Sequence, residues 1–88
     1  MKIKEDFKLC HVLDETIVVP TGETSKSFYG MIKLNESAVD IWNWIEDGVS
    51  ESDLAKKLAE KYELSMEKAN EDIKAFISQM TEAGLLDV

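Results

Sequence analysis

Cys10 and His11 are the single cysteine and the single histidine of the chain, so they are the first candidates for nucleophilic or metal chemistry. A cysteine nucleophile needs a base beside it to form the thiolate, and a zinc site needs three or four protein ligands. The two residues are neighbours in a segment that alternates like a strand, which directs their side chains to opposite faces. The sequence therefore predicts neither a catalytic thiol nor a transition-metal site, and Cys10 is interpreted as a packing residue.

Acidic residues occur in adjacent pairs such as Glu46-Asp47 and Glu71-Asp72, the residue type that serves as general acid and base or binds hard metals. These pairs lie at predicted helix ends or on polar helix faces, where carboxylates favour the helix dipole and stay solvated. No acidic loop around a glycine resembles a calcium site, and the four dispersed glycines form no nucleotide-binding loop. No catalytic residue, metal or cofactor is therefore predicted, and we do not expect an enzyme.

The formal net charge is −8, and all ten basic residues are lysine. Because arginine supplies the planar fork that grips phosphate and guanine, nucleic acid is not an expected partner. A length of 88 residues, 44% of them hydrophobic, predicts one domain over residues 1–88. No apolar run is long enough to span a membrane, and a lone cysteine fits a reducing compartment. We therefore expect a cytoplasmic protein without a membrane partner.

The elements that must position any site follow from the periodicity of the apolar residues. Residues 7–13 alternate with period two, and residues 16–19 form a β-branched run, with Asp14-Glu15 predicted as the hairpin turn between them. After a polar, turn-forming stretch, a third strand is predicted over residues 28–34. The first third of the chain is therefore expected to form a three-stranded antiparallel sheet.

Three amphipathic helices are predicted to follow the sheet. Asn35 caps the first helix, which Gly48 ends, and Ser50 caps the second. Ser65 caps the third helix, which Gly84 ends. The predicted fold class is therefore α+β and winged-helix-like, a three-stranded antiparallel sheet followed by a three-helix bundle.

Three residues point to a binding surface on this framework. Gly30 lies inside the third strand, where glycine marks either a bulge or the close approach of another backbone. Ile77 extends the apolar arc of the third helix to one side, so it either lines a groove or widens the core face. Trp44 lies off the core stripe of the first helix and is either an interface anchor or a cover over aliphatic side chains.

A set of short motifs spans nearly the whole chain. In order, these motifs are Val18-Val19-Pro20, Gly30-Met31-Ile32-Lys33-Leu34-Asn35, Ala38, Ile41-Trp42, Asp72-Ile73, Phe76-Ile77, Met80 and Gly84-Leu85-Leu86. In this order and spacing, the Gly-x-Ile-x-Leu-Asn, Ile-Trp and Gly-Leu-Leu elements resemble the PqqD family. These proteins are the peptide chaperones of ribosomal peptide modification, also called RiPP recognition elements.

The resemblance implies a non-catalytic protein that binds the leader segment of a precursor peptide and presents it to a modifying enzyme, often a radical SAM enzyme. In that family the leader adds as a strand beside the third strand and lies against the third helix. The residues expected to contact the leader are Tyr29, Gly30, Met31, Ile32, Lys33, Leu34, Asn70, Ile73, Lys74 and Ile77. The lysines Lys33 and Lys74 further predict that the leader is acidic.

Two other functions fit the same elements. A winged-helix DNA-binding regulator has this architecture, but residues 66–83 hold two lysines against four acidic residues, which opposes a recognition helix. A structural dimerisation module would use Trp44 and the sheet edge to form a homodimer. Binding of a leader peptide is the function that the sequence favours.

Overall fold

The computed structural model describes residues 2–21 and 32–87. The elements in these residues are β1 (Lys2–Ile3), β2 (Phe7–Val12), β3 (Glu15–Pro20), β4 (Ile32–Leu34), α1 (Glu36–Glu46), α2 (Glu51–Tyr62), α3 (Met66–Glu82) and β5 (Leu86–Asp87). An antiparallel sheet contains β2, β3 and β4 in that order, and the three helices follow it. The predicted α+β class, with a three-stranded sheet before three helices, is therefore confirmed.

The hairpin between β2 and β3 turns one residue earlier than predicted. Val12 pairs with Glu15, so the turn is Leu13-Asp14 and Glu15 belongs to the strand. Leu13 has a left-handed backbone, with φ of 58°, and its side chain is 97% exposed. The prediction of Asp14-Glu15 was wrong because the alternating pattern carries Leu13 into the strand, whereas the register between the strands fixes the turn.

Strand β4 forms one border of the sheet. Thr16 pairs with Leu34 and Val18 pairs with Ile32, so β3 covers one edge of β4. The opposite edge of β4 faces no other strand among the residues that the structure describes. The predicted third strand began at residue 28, and its first part, residues 28–31, lies outside the described residues.

The three predicted N-caps are confirmed. Asn35 Oδ1 accepts a hydrogen bond of 2.9 Å from the backbone N–H of Ala38, which is otherwise without a partner in the first turn. Ser50 and Ser65 accept equivalent bonds of 3.4 and 3.1 Å at the starts of α2 and α3. At the other ends, Gly48 and Gly84 take positive φ values of 88° and 82°, which stop α1 and α3.

A second, two-stranded sheet joins the two ends of the chain. Lys2 pairs with Asp87 and Ile3 with Leu86, and the Lys4 N–H donates to the Leu85 carbonyl at 2.9 Å. The sequence does not predict this sheet, because strands of two residues have no periodicity to recognise. Its effect is to hold the start of the chain against the end of α3.

One hydrophobic core connects the sheet to the helices. The most deeply buried large side chains come from all three helices, from β3 and from the residue before β5: Trp42, Leu54, Leu58, Ile73, Met80, Leu85 and Val18. Trp44 is half-buried against this core, and Lys57 Nζ lies 5.8 Å from the centre of its ring. Trp44 therefore packs in part as a cover over the core. No described helix is long and apolar enough to cross a membrane.

Candidate functional site

A groove of about 800 Å³ is bordered by the start of β3, the end of β4, the first half of α1 and the second half of α3. Its lining residues are Asp14, Glu15, Thr16, Lys33, Leu34, Asn35, Glu36, Ala38, Val39, Asp40, Phe76, Gln79 and Met80. We call it the β4–α3 groove. It combines apolar residues at its floor with charged residues at its rim, as ligand-binding clefts commonly do.

Strand β4 supplies one wall of the β4–α3 groove. The buried Leu34 pairs with Thr16 of β3 and the half-buried Ile32 pairs with the buried Val18, whereas Lys33 points to the other face and is exposed. Lys33 Nζ lies 3.0 Å from Glu15 Oε1 on the neighbouring strand. The wall therefore offers apolar surface from Leu34 and a lysine whose charge is already paired.

Helix α3 supplies the floor through Phe76, Gln79 and Met80. Phe76 and Met80 are buried core residues that also reach the groove, and Gln79 is exposed between them. The sequence analysis did not assign this arc to a groove because it followed the apolar positions toward Ile77, which is about 100° from Phe76 around the helix. The signal that would have found Gln79 is its position three residues after Phe76, which places both on one face.

The predicted α3 contact residues lie elsewhere. Asn70, Ile73 and Lys74 border a separate depression of about 270 Å³, together with Glu51 and Ser52 of α2. The structure brings none of these three to the β4–α3 groove, whose described lining is given above. Peptide contacts at Asn70, Ile73 and Lys74 stay a prediction.

The other predicted contact residues divide between the core and the part of the chain that is not described. Ile77 is half-buried and packs against the core cluster. Tyr29, Gly30 and Met31 lie outside the described residues. Of the predicted set, Lys33 and Leu34 are the described residues that line the β4–α3 groove, and Ile32 adjoins them in β4.

Asp40 anchors the α1 wall of the groove to α2. The Tyr62 hydroxyl donates to Asp40 Oδ2 at 2.5 Å, and Lys61 Nζ lies 2.7 Å from the same oxygen. Burial acts to raise the pKa of Asp40, but hydrogen bonds from Lys61 and Tyr62 and the Lys61 charge outweigh it, so that pKa is lowered. The hydrogen bond to Asp40, helped by burial and by the charges of Asp40 and Glu36, raises the pKa of Tyr62 to about 12.

Cys10 and His11 do not form a reactive pair. Cys10 is half-buried opposite Ile17, and His11 is exposed opposite Thr16. His11 Nδ1 lies 2.9 Å from the hydroxyl oxygen of Thr16, its partner on the neighbouring strand β3. Within residues 2–21 and 32–87, no three histidine, cysteine or acidic side chains gather as metal ligands.

The profile of the family described as Coenzyme PQQ synthesis protein D (PqqD) matches residues 15–86. The matched segment runs from the start of β3 through the helices into β5, which is most of the chain. The chain belongs to the PqqD family. No curated protein sequence matches the chain.

Two solved structures share the fold over nearly the whole chain. One is TbiB1 in complex with the TbiA(beta) leader peptide, with 20% identity and a TM-score of 0.81 over 99% of this chain and 95% of the other. The second is a lasso peptide synthetase B1 complexed with the leader peptide, with 23% identity and a TM-score of 0.78 over 96% and 93%. At these identities the likeness establishes the fold.

Proposed function

We propose that this protein binds the leader segment of a ribosomally made precursor peptide as an added strand along β4 and presents it to a modifying enzyme. The observation that carries the proposal is the β4–α3 groove, which lies beside a border strand with one edge facing no described strand. Membership of the PqqD family supports the ligand class. The two structures of similar fold support it as well, because both are complexes with leader peptides.

The physical basis of binding is strand addition. The edge of β4 that faces no described strand presents backbone N–H and C=O groups that a peptide strand can pair with. Side chains of an added strand alternate between two faces, so every second one would face the floor formed by Leu34, Phe76 and Met80. Burying one aliphatic side chain there would contribute about 1.5 to 3 kcal/mol. Backbone pairing therefore gives affinity, and the floor selects apolar residues at alternate positions.

In this proposal the protein carries the peptide and catalyses no reaction of its own. The register of β2 places Cys10 and His11 on opposite faces of the strand, which does not favour a thiol–imidazole pair. The class of the modifying enzyme is not tied to any described feature. A radical SAM partner stays a prediction from the family resemblance.

Helix α3 gives no support to the alternative of a DNA-binding regulator. Glu67 and Glu71 are exposed along it, and Lys68 Nζ is engaged 3.1 Å from Asp72 Oδ1. Such a surface would repel a phosphate backbone. The homodimer stays a prediction.

The test begins with a library of random peptides displayed on mRNA and selected on the purified protein. The best peptide is then resynthesised with single backbone N-methyl groups, which remove one N–H donor at a time and keep the side chains. Strand addition predicts that binding is lost at alternate positions, because only every second N–H faces β4. Equal tolerance of N-methylation at all positions would contradict the proposal.

The position of the peptide-binding site on the protein is tested by filling the β4–α3 groove. Gln79→Trp places a large ring in the β4–α3 groove, whereas Ser78→Trp places the same ring at the neighbouring exposed position, which does not line it. We expect the first variant to weaken peptide binding and the second to leave it unchanged. Lys74→Trp tests the separate depression, and loss of binding in that variant alone would move the site to the predicted Asn70–Lys74 face.

A further inference from the structure

The charges around the β4–α3 groove are unevenly balanced. Among the described residues, four acidic side chains line it, Asp14, Glu15, Glu36 and Asp40, against one lysine, Lys33. A groove with this rim carries a negative potential, and the protein around it has a formal net charge of −8. The rim therefore discriminates between peptides by charge in addition to shape.

Two of the four carboxylates are already neutralised by partners within the protein. Glu15 is paired with Lys33 at 3.0 Å, and Asp40 with Lys61 at 2.7 Å. Asp14 and Glu36 are exposed and have no ion pair with any described lysine. Of the described lining residues, Asp14 and Glu36 are thus the carboxylates without an ion pair, and they can bind a cation from outside.

We infer that the peptide bound in the β4–α3 groove carries a lysine or arginine side chain that pairs with Asp14 and Glu36. This inference rests on the proposed function. The apolar floor and the two carboxylates together select a segment in which a basic residue stands near apolar ones. The expectation of an acidic leader, which rested on Lys33 and Lys74, stays a prediction, and at this end of the groove Lys33 is paired with Glu15.

The peptide selection described above tests the inference directly. We expect the enriched peptides to share a lysine or arginine at a fixed distance from apolar residues. Enrichment of neutral or acidic peptides would overturn the inference and leave peptide binding intact. Failure to enrich any shared pattern would overturn both the inference and the proposed function.

A matched pair of double variants then tests the two residues. Asp14→Asn with Glu36→Gln removes both charges from the rim, and Glu60→Gln with Glu82→Gln removes two exposed charges that do not line the groove. The rim variant should bind the selected peptide between about 2-fold and about 30-fold more weakly, the range for two exposed ion pairs. The control should bind as the wild type does, and thermal unfolding checks that both variants are folded.

A matching change in the peptide completes a double-mutant cycle with the rim variant. Replacing its basic residue by glutamine should weaken binding to the wild type and leave binding to the rim variant nearly unchanged, because the partner charges are already gone. Raising the salt concentration should weaken the wild-type complex more than that of the rim variant. Equal losses of peptide affinity in the rim and control variants would show that the overall negative charge of the protein acts on the peptide, and would overturn the assignment to Asp14 and Glu36.

Discussion

The Tyr62 hydroxyl and the Asp40 carboxylate are joined by a hydrogen bond of 2.5 Å that ties the last residue of α2 to the middle of α1. Asp40 also lines the β4–α3 groove, so the same bond positions one wall of the proposed binding site. Because Lys61 reaches the same carboxylate oxygen, the charge of Asp40 is engaged within the protein. Asp40 thus fixes the position of α1 relative to α2 at this wall of the groove.

Tyr62→Phe removes this hydrogen bond and keeps the ring. We expect a loss of about 1 kcal/mol in the free energy of unfolding, since the acceptor is a partly exposed carboxylate that retains Lys61. Urea denaturation followed by tryptophan fluorescence measures the loss. Lys61→Met is the companion variant, which removes the ion pair and keeps the hydroxyl. An unchanged midpoint for Tyr62→Phe would show that the bond does not stabilise the fold.

The raised pKa of Tyr62 predicts a window of alkaline destabilisation. The folded pKa is about 12, and a tyrosine in an unfolded chain ionises near pH 10, so the folded state holds the proton more tightly. The stability that this bond contributes is complete below about pH 10 and is lost as the pH rises toward about 12. Urea denaturation of the wild type and of Tyr62→Phe should give free energies that converge across this range. A constant difference would contradict the assignment.

Ile73 and Ile77 should differ in their contribution to stability. Ile73 is 1% exposed, and its truncation to alanine should cost about 3 kcal/mol because it leaves a cavity in a packed core. Ile77 is half-buried against the same core, and Ile77→Ala should cost about half as much. Chemical denaturation of both variants measures the difference. Equal costs would mean that Ile77 is a full member of the core.

Leu13 offers a substitution that should stabilise the protein. Its left-handed backbone is unfavourable for leucine by about 1 to 2 kcal/mol, and its exposed side chain gains no packing in return. Asparagine tolerates this conformation, so Leu13→Asn should raise the free energy of unfolding by about 0.5 to 1 kcal/mol. Val12→Asn is the matched control. Val12 lies in the extended strand β2, so this variant should be less stable than the wild type. A loss for Leu13→Asn would contradict the turn geometry.

Sequence patterns predicted most of the framework because helices and caps are local features. Asn35, Ser50 and Ser65 were identifiable as caps from residue type and position alone, since a capping oxygen needs a partner only three residues away. The turn at Leu13-Asp14 was misplaced by one residue because the pairing of two strands decides it. The local pattern carries no information about that register.

The lining of the β4–α3 groove could be predicted only in part. The third strand and the third helix were expected to border a binding surface, and residues of both line this groove, while peptide contact there stays a prediction. The face of α3 was not predicted, because Phe76 and Met80 belong at once to the core and to the groove floor. Periodicity separates apolar from polar positions and cannot show which buried residues border an opening. The acidic rim also required the fold, since Asp14 and Glu36 are distant in sequence.

The pairing of Ile3 with Leu86 has a consequence for how the chain reaches its final structure. Joining segments so far apart closes a loop that contains all the other described elements, and its entropy cost is not offset until those elements are compact. This closure is therefore expected to be the last step in the folding of this domain. During synthesis β1 is made before β5 and stays unpaired until β5 has left the ribosome. Late exchange protection of the Lys4 amide, which bonds to Leu85, would mark the pairing of β1 with β5.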